Sequence, residues 1–162
     1  LTGRAMSKAS NMSGAAIIAG LSVAAACIAA VWIAMEQQST PDPKRVVPLI
    51  VAGLCGCYAG FWQLSRNLGQ GFSRSALFGV GASIIAFLIF SGLSAVRSAY
   101  IFHTTVQFDS AKQALFHLLE VFVASLQRPL DDPMPTLVLL GGGLAAGIIS
   151  EVFARLWATN LQ

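Results

Sequence analysis

Few side chains in this 162-residue chain are of types that do chemistry, and their spacing limits what they can do. Cys27, Cys55 and Cys57 all lie in apolar runs. On a helix Cys55 and Cys57 would point about 160° apart. The C-x-C pair is therefore a poor joint metal site, and buried, inert thiols are expected. His117 and Glu120 stand three apart and can face each other on a helix. A metal there would need further ligands that the sequence does not supply. Glu151 and Arg155 are four apart with the acid first, the favourable order for a helical ion pair. That pair is expected at the edge of an apolar span, where it holds the helix end. Contact with a partner protein is the sharper alternative. Arg97 is the first charge after a long uncharged run. A long Arg stem near a helix end snorkels to the head groups, so a depth anchor is expected, with a buried functional cation as the other reading.

Motifs of the familiar enzyme classes are missing. The two histidines form no HExxH, and the chain contains neither a nucleophile elbow nor a P-loop. The triplet Gly141-Gly142-Gly143 falls inside an apolar run, not between a strand and a helix, so it is no phosphate loop. His103 follows Ala99 as A-x-x-x-H, a spacing similar to that by which light-harvesting polypeptides ligate bacteriochlorophyll. His103 is kept as a candidate pigment ligand on that spacing alone. A non-catalytic protein with no metal, and with lipid as its bound small molecule, is the expectation.

The elements that carry these residues follow from composition. Hydrophobic residues make up 56% of the chain and charged ones only 10%, against about 25% in a soluble domain. Mean hydropathy is +0.71. So little polar surface cannot cover a globule in water, and the bilayer is the expected solvent. The net charge of +3 forms no basic patch of the sort a nucleic-acid binder needs.

Four membrane spans are predicted, at about residues 14–35, 46–64, 75–101 and 133–157, in a single all-α membrane domain. The chain opens at Leu1, with Met6 an alternative start. Residues 1–13 read as a short polar lead. The uncharged run from Ala9 to Met35 exceeds a signal-peptide core and is expected to be retained. Pro41 and Pro43 break the first loop. Residues 110–127 differ in kind. Lys112, Gln113, His117, Glu120 and Gln127 fall on one side of a helix, and Leu115, Leu118, Leu119, Phe122 and Leu126 on the other. An amphipathic helix lying at the interface, or a half-polar helix packed on the bundle, fits that pattern, capped by Asp109 or Ser110 and ended around Pro129. A fifth crossing would bury Glu120 in lipid. Trp32, Trp62, Tyr100 and Trp157 each fall near the end of a span, the head-group level that amphipathic aromatics prefer. With Arg97, Glu151 and Arg155 they are read as membrane-edge anchors. Basic residues without acids in the lead (Arg4, Lys8) and the second loop (Arg66, Arg74) favour a cytoplasmic N-terminus.

Small residues mark where helices pack in lipid. Gly53, Gly56 and Gly60 fall within about a 60° arc of the second span. On the last span Gly143, Ala146, Gly147, Ser150 and Ala154 form one small face, from which Gly141 and Gly142 diverge. The two faces are expected to meet close partners, with each other among the candidates.

From residue 46 to 158 the chain resembles the TrgA-like family, tellurite-resistance-associated inner-membrane proteins of alphaproteobacteria. The likeness rests on VVPLIVAGLCGCYAG, a basic loop with Arg66, Gly69 and Gly71, and an aromatic-rich third span. Phe108-Asp109 followed by ALFHLLE, and LLGGGLAAGIISEVFARLW, complete it. Phe108 stands where the family pattern suggests tyrosine, and the lead is longer than usual. The resemblance implies the bacterial inner membrane and an association with oxyanion resistance, and it brings no active site. Two functions are expected, the first from the lack of site residues and the second from the resemblance. One is an accessory or scaffold subunit packed among other membrane subunits in a respiratory or photosynthetic complex. The other is a component of tellurite resistance or transport. A reductase using Cys55 or Cys57 ranks behind both.

Overall fold

The computed structural model describes the backbone of residues 2–36, 46–67, 69–105, 111–131 and 133–159, and side chains only where their placement is defined. Five helices account for almost all of them: α1 (Thr2–Glu36), α2 (Val46–Ser65), α3 (Phe72–Thr105), α4 (Ala111–Asp131) and α5 (Pro133–Thr159). Four are long and apolar enough to cross a bilayer, over Gly14–Glu36, Val46–Ser65, Phe72–Phe102 and Pro133–Trp157. Helices satisfy their own backbone groups, which lipid cannot do. The chain is an all-α, multi-pass membrane protein.

Several helix boundaries differ from expectation, α3 for one ending at Thr105 instead of about residue 101. The lead is helical from Thr2 onward and joins α1 without a break. It contains no proline, and a helix already nucleated in lipid propagates cheaply into such a segment. α3 starts three residues earlier than predicted, at Phe72. α4 runs through Pro129 to Asp131. A proline forfeits its own N–H bond, and only two more helical residues follow it. The first loop's prolines, with Lys44 and Arg45, and the Asp109/Ser110 cap lie outside the described residues.

α2 packs on α1 and α3, and α5 packs on the same two helices from the other side. The four spans close a ring in the order α1–α2–α3–α5. The buried interior is built from small side chains, among them Ala19, Ala52, Ala59, Ala82, Ala86 and Ala146. Leucines such as Leu54, Leu77 and Leu137 point outward. Lipid tails are as apolar as leucine, so large side chains gain nothing by turning inward, while alanine and glycine let backbones approach.

The Gly53/Gly56/Gly60 face meets α1. A Cβ on Gly56 would stand 2.8 Å from Ala24 Cα and from Cys27 Sγ, and one on Gly60 3.0 Å from the Ala19 carbonyl oxygen. Gly53 lies against Ile28. Gly56→Ala is therefore expected to destabilise by about 1–3 kcal/mol through overpacking. Gly92→Ala, which enters open space, should lose nothing. Thermal unfolding of both variants in detergent checks the contrast.

α4 packs mainly on α3 and lightly on α5. α5 runs antiparallel to α3, since Gly147 lies against Ser75 and Gly143 against Gly79 and Ser83. The end of α3 and the start of α5 are thus on one side of the bundle. α4 connects them without crossing, as its amphipathic pattern predicts.

Candidate functional site

Of the chemistry-bearing residues, Glu151 and Arg155 come together at the opposite end of the bundle, on the turn between α2 and α3. α2 ends as Asn67 folds back, its N–H donating to the Leu64 carbonyl at 3.0 Å and its Nδ2 to the Gln63 carbonyl at 2.8 Å. Gly69 and Gly71 then adopt φ of 83° and 105°. Side chains other than glycine are strained there. The Gly71 carbonyl accepts the Ser75 N–H at 3.0 Å and opens α3.

Glu151 of α5 reaches into this turn. Its Oε2 accepts the Gly69 backbone N–H and the Ser75 hydroxyl, each at 3.0 Å. Its Oε1 accepts Arg155 Nε at 3.1 Å. Glu151 is 0% exposed, while the Arg155 side chain is 55% exposed. The guanidinium carbon of Arg155 also lies 4.2 Å from the Phe72 ring centroid, at the first residue of α3. Charge-assisted bonds of this kind are about twice as strong as neutral ones. One carboxylate thereby ties α5, the interhelical turn and the start of α3 together.

This arrangement fixes structure. Both carboxylate oxygens are held by donors, two of them set by the turn itself. Among the described residues no three His, Cys, Asp or Glu side chains come together as a metal site. The expectation for Glu151 and Arg155 was a pair at the membrane edge. The ion pair is present, but the Glu151 carboxylate faces the protein interior, because residue 151 continues the four-residue steps of Gly143 and Gly147 and so falls on the packed side of α5.

That packed side meets α3, and the two glycine faces do not meet each other. A Cβ on Gly147 would collide with the Ser75 carbonyl, and one on Gly143 with Ser83 Oγ. Ser75, Gly79 and Ser83, again at four-residue steps, form the complementary stripe. Ser150 is buried and donates to the Gly147 carbonyl at 2.8 Å. Ser83 Oγ is buried in the same seam with no hydrogen-bond partner among the described residues. Gly142, which diverges from the small face, packs on Ala26 of α1. α5 therefore uses two faces, one for each neighbour in the ring, and only Gly141 of the triplet opens onto empty space.

The remaining candidates are dispersed. Trp32 and Tyr100 are exposed on the α4 side of the bundle, and Trp62 is exposed near the turn. Trp62 stacks on Tyr58, with ring centroids 6.4 Å apart, and carries Arg66 over its face at 5.1 Å. Trp157 lies against Gly14 of α1, so it joins two helices as well as standing near the span's end. Arg97 is exposed beside a groove between α2 and α3. The His103 backbone belongs to α3, and its side chain lies outside the described residues. His117 stacks on Phe102 with centroids 4.4 Å apart, and Glu120 is exposed. Cys27 and Cys55 are buried and Cys57 half-buried, all as free thiols.

Sequence reasoning missed Gly69, Phe72, Ser75, Gly79 and Ser83 as participants. Two signals were available. Glu151 extends the Gly143/Gly147 spacing by one more step, and Ser75-x3-Gly79-x3-Ser83 repeats that spacing on α3. In comparisons with known proteins, no family model, curated protein or solved structure matches this chain.

Proposed function

We propose that the chain is a non-catalytic accessory subunit that packs within a larger complex of a bacterial inner membrane, respiratory or photosynthetic in kind. The observation that carries this reading is the uncovered outer face of α4. Leu115, Phe116, Leu119 and Val123 are exposed there, Phe116 at 71%. Lys112, Gln113, Glu120 and Gln127 are exposed on the same helix, which makes it too polar for a span and suited to a protein partner at the interface. The glycine faces are engaged inside the chain, and the buried carboxylate is engaged by the turn, so surface is what the chain has to offer. The resemblance to TrgA-like proteins supports the inner-membrane placement. An oxyanion route, the alternative that resemblance suggests, needs cations facing an internal passage. The seams here are closed by alanine, glycine and serine, and Arg97 faces outward.

A photo-crosslinking residue at position 116 in native membranes is expected to give a discrete crosslinked protein band. The same residue at Leu54, exposed on α2, should give only lipid adducts. Lipid adducts alone from position 116, with the chain running as a monomer on blue-native gels, would overturn the reading.

A further inference from the structure

The groove beside Arg97 has a composition that the accessory reading does not use. It has a volume of about 460 Å³ and lies between the start of α2 and the second half of α3. Val47, Pro48 and Val51 form one wall, Phe90, Leu93 and Ile101 the other. Its polar lining is Arg97, with Ser94 three residues before it on the same face of α3 and the adjacent Ser98 also lining the groove. None of the lining residues is acidic. Arg97 makes no ion pair or hydrogen bond among the described residues.

Three features converge on one ligand chemistry. Among the described residues the positive charge has no carboxylate partner, and its span is uncharged from Ser75 to Val96. The first turn of α2 borders the groove and adds the positive end of its dipole. The groove also has the length of one leaflet. Phe90 to Ile101 is eleven steps, about 16 Å, against half of a hydrocarbon core of about 30 Å. Arg97 lies toward the outer end of that length, where a phosphate would be. Phe90 and Val51 lie toward the bilayer midplane, where only an acyl chain would be.

We propose that this groove is a binding site for an anionic phospholipid, with Arg97, Ser94 and Ser98 on the phosphate and an acyl chain along Val51, Phe90 and Leu93. A soluble phosphate would be held by the same head but would leave the apolar length of the groove unused, and lipid is the occupant that uses both.

The test is native mass spectrometry of the full chain released from nanodiscs of equal phosphatidylglycerol and phosphatidylcholine. Phosphatidylglycerol should be retained about five-fold over phosphatidylcholine. Arg97→Gln should bring the two to parity, and Arg97→Lys should restore most of the preference. Arg97 is exposed, so each variant should melt as the wild-type chain does. Val51→Trp, which fills the groove and leaves the cation in place, should reduce retention of phosphatidylglycerol. Equal retention of the two lipids by the wild-type chain would overturn the proposal, as would a preference that survives Arg97→Gln. Displacement of bound lipid by excess inorganic phosphate as effectively as by phosphatidylglycerol vesicles would assign the site to a soluble anion and overturn it too.

Discussion

Glu151→Ala is expected to destabilise the fold by about 1–3 kcal/mol, the cost of leaving a buried donor unmet, since Arg155, the other partner of the ion pair, is mostly in solvent. The substitution leaves the buried Ser75 hydroxyl without its acceptor and releases the N–H of the exposed Gly69 to solvent. Arg155→Ala removes the other end of the same pair but should cost less than about 1 kcal/mol. Its side chain is mostly in solvent, where such pairs contribute little, and the carboxylate keeps its two remaining donors. Glu151→Gln should fall between the two, since the amide retains one acceptor oxygen and loses the charge. Denaturant unfolding in detergent reads the order. Trypsin gives a second, local reading. Arg66 and Arg74 flank the turn, and cleavage after them should accelerate in Glu151→Ala and stay near the wild-type rate in Arg155→Ala. Equal behaviour of the two alanine variants would remove the turn-holding role assigned to Glu151.

Gly147→Ala is expected to destabilise by about 2–3 kcal/mol, by overpacking. The added methyl would meet the Ser75 carbonyl and come within 2.9 Å of Ala76 Cα. Those atoms are backbone, so no rotamer change relieves the clash and α3 must move away from α5. The same substitution at Gly141 meets nothing within 4 Å. There it should be neutral or stabilise by up to about 1 kcal/mol, because alanine is the better helix former. Two glycines six residues apart in one helix thus predict effects of opposite sign, which thermal melting in a single detergent can resolve. Gly147 and Glu151 both act on Ser75, so the double variant Gly147→Ala/Glu151→Ala should lose less than the sum of the two.

The spans and the amphipathic helix were legible because hydrophobicity and its period are local properties of the chain. The small face of α5 was legible for the same reason, through Gly143, Gly147 and Ser150. What those faces touch was not. Gly56 and Gly147 look alike in sequence, yet one meets α1 and the other α3, and that choice depends on the order in which four helices close a ring. Glu151 shows the limit most clearly. A carboxylate near a helix end reads the same whether it faces head groups or a turn 82 residues earlier in the chain. Only the three-dimensional approach of Gly69 and Ser75 separates those readings. Trp157 is a milder case, because a belt aromatic and a ring seated on Gly14 carry the same sequence signal.

The distance in sequence between Gly69 and Glu151 has a consequence for biogenesis. At about 5–20 residues per second, the carboxylate is made roughly 4–16 s after the turn it will hold. Through that interval α2 and α3 can sit in the membrane as a hairpin whose connecting turn is unlatched. Glu151 reaches the turn only if α5 inserts with its C-terminal end on the same side of the membrane. An α5 that stalls, or inserts upside down, leaves Gly69 and Ser75 open and the basic segment around them accessible to membrane proteases. The contact can therefore form only after α5 is made and threaded with its C-terminal end beside the turn.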